Sequence, residues 1–164
     1  MSVTDDLLAN ARRYAASYTG GRTHAPTKPV VLVTCMDARF VPGLVFDLHE
    51  GDAHVLRNAG GIVTDDVVRS VAISQHRLGT REVVVLHHTE CGMGTFTDEE
   101  FAAQIEAVAG HRPDWYARAI RDPDESVRQS VRRLRGNPFL LHRSWIRGFV
   151  WDVETAGLRE VDVP

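Results

Sequence analysis

The chain has 164 residues, 43% of them hydrophobic and 25% charged, which is enough for one full hydrophobic core and short for two; a single domain over residues 1–164 is expected. A formal net charge of −3 with no long run of like charges excludes a basic nucleic-acid footprint and a polybasic membrane patch. No apolar stretch approaches transmembrane length and no basic segment precedes an apolar run near residue 1, so the expectation is a soluble, cytoplasmic protein acting on a small molecule, with no nucleic-acid or membrane partner.

From Thr4 to about Tyr18, Leu7, Leu8, Ala11, Tyr14, Ala15 and Tyr18 recur at helical spacing, with Thr4 as the expected N-cap and Asp5 and Asp6 in the first turn. Gly20-Gly21 stops this amphipathic helix, which precedes the sheet and is free to lie on a partner; residues 1–28 are thus an arm and linker ahead of an α/β core at 30–164. Val30 to Thr34 reads as a strand. Pro42 opens a short helical piece to about Leu48, Gly51-Asp52 turns the chain, and Ala53 to Arg57 makes a second strand before Asn58-Ala59-Gly60-Gly61. Thr64 starts a helix with Val67, Val68, Val71, Gln75 and Leu78 at helical spacing and Gly79 as its stop.

The strand Glu82 to His88 follows directly. Thr97 to Glu100 is a capping box, after which Phe101, Ile105 and Val108 stripe a helix that Gly110 ends, while His111 to Asp122 shows no assignable element. Near Asp124 another helix begins, with Val127, Val131 and Leu134 inward. Its Arg128, Arg132, Arg133 and Arg135 read as a solvated face rather than a phosphate site. After Gly136-Asn137-Pro138, Phe139 to Leu141 is expected as a short strand, and Ile146 to Val153 with Leu158 to Val163 as a hairpin. Strands alternating with helices predict an α/β fold: a mainly parallel β-sheet flanked by helices, with an N-terminal helical arm and a C-terminal antiparallel hairpin supplying edge strands.

In such sheets ligands bind beyond the carboxyl ends of the strands, where strand order reverses. Cys35 follows the first strand, and the apolar run Val83-Val84-Val85-Leu86 ends in His87-His88-Thr89-Glu90-Cys91. Alternation puts His88 on one face with Val84 and Leu86 and sends His87 to the other, so His88 and Cys91 bend toward one point. If the first and third strands are neighbours, Cys35, His88 and Cys91 share one ion. Two thiolates and an imidazole suit zinc over magnesium, calcium or manganese, and three protein ligands leave a fourth position open, as in catalytic zinc sites. Each residue alone has an ordinary alternative, a buried apolar thiol or a histidine satisfied by a carbonyl; jointly, with Asp37 and Arg39 beside the first, they point to a metal site.

The motifs Cys35-Met36-Asp37-Ala38-Arg39 and His88-Thr89-Glu90-Cys91 resemble the Cys-x-Asp-x-Arg and His-x-x-Cys signatures of the β-class carbonic anhydrases, and the resemblance runs over most of Val30 to Gly94. It implies Zn2+ held by Cys35, His88 and Cys91, an Asp37-Arg39 pair, a homodimer or higher homo-oligomer whose N-terminal helix packs on the other subunit, and hydration of carbon dioxide to bicarbonate and a proton. The chemistry expected is attack by zinc-bound hydroxide on carbon. Asp37 and Arg39 are the expected catalytic pair, Arg39 holding the carboxylate off the metal, although an Asp at this position also serves to cap the following turn. Where plant-type members carry Gln-Pro-Gly and an aromatic lining the substrate pocket, this chain has His49-Glu50-Gly51 and His54, and Ala38 replaces a serine. His54, Gly60 and Gly92 are the expected pocket residues; Gly61 and Gly94 also suit close backbone approach, or simply turns. His49 and His54 are candidate proton shuttles, against the plainer reading of surface histidines. The alternatives are hydrolysis of carbonyl sulfide or carbon disulfide at the same zinc, and a non-catalytic zinc protein. A redox disulfide lacks the usual Cys-x-x-Cys spacing.

Overall fold

In the computed structural model, which describes residues 2–164, the apolar runs of the sequence become the two central strands of one sheet: Val31, Leu32, Val33, Val83, Val85 and Leu86 are each no more than 2% exposed. Strands β1 (Val30–Cys35), β2 (His54–Asn58), β3 (Glu82–His88), β4 (Ile146–Trp151) and β5 (Leu158–Val161) lie in the order β2-β1-β3-β4-β5. The first four are mutually parallel and β5 runs antiparallel to β4. The helices are α1 (Val3–Ser17), α2 (Pro42–Val45), α3 (Asp65–Leu78), α4 (Asp98–Ala109) and α5 (Pro123–Arg135).

Right-handed crossovers explain which face each helix covers. The chain steps one way from β1 to β2 and the other way from β2 to β3 and on to β4, so the α3 and α5 crossovers share a face opposite the α2 segment. Val67, Val68 and Val71 of α3 and Val127, Val131 and Leu134 of α5 join Val31, Val33, Val83, Val85, Ile146 and Val150 in the main core. The other face carries Leu32, Leu86, Phe40 and Trp151, the last two edge to face at 5.1 Å. Helix α1 contributes nothing to either core: it has no buried residue, and Leu7 and Tyr14 are 62% and 58% exposed.

Local chemistry fixes the element ends. Thr64 caps α3, Gly79 ends it in the left-handed conformation at φ 78°, and Thr97 with Glu100 forms the expected box at α4. Three expectations are corrected. The N-cap of α1 is Ser2, whose hydroxyl takes the Asp5 amide while Asp5 returns a bond to the Ser2 amide; the acid three residues on selects the cap, not Thr4. Phe139 to Leu141 is a turn, because Asn137 accepts from the Phe139 amide and Gln75 from the Leu141 and His142 amides, leaving no ladder to join. The expected C-terminal hairpin is present, with β4 antiparallel to β5, but only β5 is an edge strand: β4 lies inside the sheet, parallel to β3 on its other side.

Helix α5 lies so close to β4 that a Cβ built at Gly148 would stand 2.3 Å from Val127 Cγ1 and 3.0 Å from Val131 Cγ2. Gly148→Ala is therefore expected to lower stability by about 1–3 kcal/mol through overpacking, read as a fall in the urea unfolding midpoint. An unchanged midpoint would show that the helix is free to move away.

Candidate metal centre

The parallel pairing of β1 with β3, in register from Val30↔Glu82 to Thr34↔Leu86, brings the carboxyl ends of both strands together at the point where strand order reverses. Cys35 closes β1, His88 closes β3, and Cys91 follows at the start of the 3-10 turn Gly92–Gly94. Their ligand atoms all lie within 4.8 Å of one another. His88 donates from Nδ1 to the Thr89 carbonyl at 2.8 Å, so the neutral ring carries its lone pair on Nε2; that atom is buried and has no hydrogen-bond partner. The Cys35 and Cys91 sulfurs are 3.9 Å apart.

This donor set fits zinc on its own geometry. Two sulfurs each ~2.3 Å from a tetrahedral zinc stand ~3.8 Å apart, and a bare imidazole lone pair is what the third position requires. Electrostatics agree. The Cys91 thiol, donating to Cys35, pulls the Cys35 pKa down to about 4, aided by His88 and the Asp37 and Gly60 amides against the cost of burial. Cys91 is driven up, first by that same contact and then by burial, because a second thiolate beside the first is repelled. A dication between the sulfurs would remove the repulsion. His88 is buried, which opposes its charging, but Cys35, the Thr89 carbonyl and Asp37 together raise its pKa.

Asp37 and Arg39 stand beside the ligands. Arg39 donates from Nε to Asp37 Oδ1 at 3.0 Å and from Nη2 to Oδ2 at 2.8 Å, a bidentate pair, and its own amide adds a bond to Oδ1 at 2.9 Å. These bonds hold the Asp37 carboxyl well below the usual carboxylate range despite partial burial. Asp37 Oδ2 lies 3.7 Å from His88 Nε2, and Arg39 reaches across to the Glu90 carbonyl at 3.0 Å, tying the turn after β1 to the loop that carries Cys91.

The remaining site residues divide. Gly60 is buried at φ 81°, its amide facing Cys35, where a Cβ would meet Ile120 Cδ1 at 2.6 Å. Gly61 presses on the β1 backbone, 2.7 Å from Cys35 N for a built Cβ, so close approach is real there but is made to the chain itself. The structure does not bring His54 to the ligands of its own chain: it opens β2 opposite Val31, four residues before Asn58 pairs with Cys35, and its Nδ1 bonds Ser74 Oγ at 2.7 Å. At ~3.3 Å per residue that is ~13 Å away along the strand. His49 is exposed between Asp47 and Asp52, also away from the ligands. A cleft of about 340 Å³ does reach His88 and Cys91; its other walls are Glu90, Gly94, Thr95, Ile120, Arg121 and Pro123, and none of His54, Gly60 or Gly92 lines it. His87, on the opposite face, is buried and donates from Nε2 to the Gly61 carbonyl at 3.1 Å; burial pushes its pKa down to about 4, so it stays neutral. Sequence reasoning missed Arg57, which reaches the turn after β1; an arginine one residue before the Cys35 partner Asn58 on the neighbouring strand was the available signal.

Fold and donor set together define a parallel-sheet α/β protein with a three-ligand metal-binding group at its switch point. The chain belongs to the carbonic anhydrase family, whose model matches residues 30–156. It is similar to β-carbonic anhydrase 1 of Mycobacterium tuberculosis, 51% identical over 161 residues that cover 98% of this chain and 99% of that one. The crystal structure of the Streptococcus mutans carbonic anhydrase superposes with a TM-score of 0.91 at 41% identity, covering 99% of each chain. A carbon disulfide hydrolase of Acidianus is 34% identical over 154 residues, 79% of this chain and 75% of that protein.

If one ion shields both sulfurs, zinc-loaded protein is expected to show no reactive thiol to a colorimetric thiol reagent, and chelation to expose both Cys35 and Cys91. Thiols that react equally before and after chelation would contradict the shared ligand set.

Proposed function

We propose that this chain is a zinc enzyme interconverting carbon dioxide and bicarbonate with release of a proton, Cys35, His88 and Cys91 holding the ion and Asp37 and Arg39 acting beside it. The observation that carries the reading is the partnerless, buried His88 Nε2 converging with two sulfurs 3.9 Å apart, with an arginine-held carboxylate 3.7 Å from the same nitrogen. Zinc bound there supplies the Lewis acidity that makes water a nucleophile near neutral pH.

The chain's own residues do the rest. Arg39 donates two bonds to Asp37 Oδ1, through Nε and its amide, and one to Oδ2 through Nη2, so Oδ2, 3.7 Å from His88 Nε2, keeps acceptor capacity beside the ligand set. That oxygen accepts a hydrogen bond from the reacting water and so turns the water's free lone pair toward carbon. Because Arg39 holds Asp37 ionised, the carboxylate orients the water and does not abstract its proton at neutral pH. The bidentate grip would also hold the carboxylate back from a metal carried by Cys35, His88 and Cys91.

A second reading, hydrolysis of carbon disulfide or carbonyl sulfide, draws support from the Acidianus relative and needs the same donor set; the 51% identity to a β-carbonic anhydrase favours the first. Residues 1–164 are read as one unit with α1 as an arm. The arm's lack of any buried residue supports a homodimer in which α1 lies on the partner, and two free thiols as ligands suit the reducing cytoplasm. Among the described residues no helix is long and apolar enough to cross a membrane.

Stopped-flow hydration of carbon dioxide by the zinc-loaded protein, with carbonyl sulfide and carbon disulfide hydrolysis run alongside, tests the choice; carbon dioxide is expected to be turned over fastest, and faster hydrolysis of either sulfur compound would favour the second reading. Arg39→Ala is expected to cost about 10- to 100-fold in rate with zinc retained, checked by metal analysis beside the assay. Full activity in that variant would remove the pair from the mechanism. The two thiolates cancel the formal charge of zinc and weaken its effect on water relative to neutral ligands, so the hydration rate is expected to climb from neutral to alkaline pH; Asp37, ionised throughout, adds no step. A flat profile there would argue against a water that titrates at the metal.

A further inference from the structure

Arg57 sits at the carboxyl end of β2, in register with Thr34 of β1. It spends its donors on main-chain carbonyls: Nε bonds Cys35 O at 3.0 Å, and Nη2 bonds both Asp37 O at 2.7 Å and Phe40 O at 3.0 Å. The three acceptors bracket the turn that carries Asp37 and Arg39. Within that turn the Asp37-Arg39 pair joins residues two apart, so it fixes their geometry relative to each other but would travel intact if the turn shifted. The turn's own backbone closes with one long bond, Phe40 N to Asp37 O at 3.2 Å. What sets the pair's position against His88 must come from outside the turn: the Met36 amide bonds the Asn58 carbonyl at 2.9 Å where the chain leaves β1, Arg39 reaches the Glu90 carbonyl, and Arg57 alone holds carbonyls at Cys35, Asp37 and Phe40 together.

We infer that Arg57 is a positioning residue for the reaction, a clamp whose planar fork sets where the Asp37 carboxylate stands relative to His88 and the two sulfurs. Only guanidinium has this reach. Its donors are arranged in a rigid plane that spans several carbonyls at once, whereas an ammonium is a single point donor. The inference rests on the role given above to Asp37 and Arg39.

The test is a double-mutant cycle on the full-length, zinc-loaded protein: Arg57→Gln, Arg39→Ala and the double variant, each measured for carbon dioxide hydration and zinc content, and each with cobalt in place of zinc for its visible spectrum. Arg57→Gln is expected to lose about 10- to 100-fold in kcat with KM little changed and zinc retained, because a displacement of about an ångström is enough for such a loss. In the Arg39→Ala background the second substitution is expected to add almost nothing, and the cobalt spectra of both single variants are expected to change, since both displace the same carboxylate from its place beside His88. Arg57→Lys, which keeps the charge, is expected to share the non-additive loss and serves if the Gln variant does not fold.

Losses that multiply in the double variant, zinc lost in step with activity, or a parental rate in Arg57→Gln or Arg57→Lys would each overturn the inference. A parental rate in Arg39→Ala instead removes the role of the pair, and this inference with it, and so is told apart from a failure of Arg57 alone.

Discussion

Two thiols and an imidazole are forced to one buried point by the parallel pairing of two strands, and only a cation relieves the crowding. The sulfurs are 3.9 Å apart and the histidine presents a lone pair with nothing to accept. Removing such groups from water without partners costs several kcal/mol, so the arrangement makes sense as a site built around a charge. Everything nearby serves that point. Each valine-rich strand delivers its ligand at its last residue, and Gly61 lets the following turn press against β1 where any Cβ would collide with the backbone, while Gly60 makes the same kind of room beside Ile120.

Charge is managed outward from the same point. Two thiolates would offset a bound dication, and Asp37 would add an unbalanced negative charge were Arg39 not bound to both its oxygens. Arg39 is itself half exposed, so its pairing is worth little as stability and more as geometry. Its bond to the Glu90 carbonyl links the two ligand-bearing loops, and Arg57 anchors the first of them to β2. Three neighbouring strands therefore act on one carboxylate.

How much of this the sequence disclosed depends on how local the cause was. The ligand strands were legible because an unbroken apolar run ending in His and Cys has few other meanings, and alternation alone chose His88 over His87. The cap at Thr64, the box at Thr97 and the stop at Gly79 were legible because each is decided within four residues. The interior placement of β4 was not, since antiparallel or parallel pairing is settled by a crossover through α5 far along the chain. Phe139 to Leu141 misled because the Leu141 amide is taken by Gln75, 66 positions earlier, and the Phe139 amide by Asn137. His54 was placed by analogy with an aromatic position, and nothing in its neighbours discloses that the strand's opening end points away from the chain's own ligands. Arg57 was missed for a related reason: its acceptors are backbone carbonyls, and its place one residue before Asn58 becomes a signal only once β2 is known to lie beside β1.

The adjacent histidines of β3 amount to an internal control supplied by the pleat. Side by side in the chain and identical in chemistry, one is kept neutral against the apolar helices by burial and the other is turned to the ligand point, where its neighbours favour charge. Any spectroscopic difference between the two rings therefore reports the environments of the two faces of a single sheet, with residue type, strand and solvent held constant.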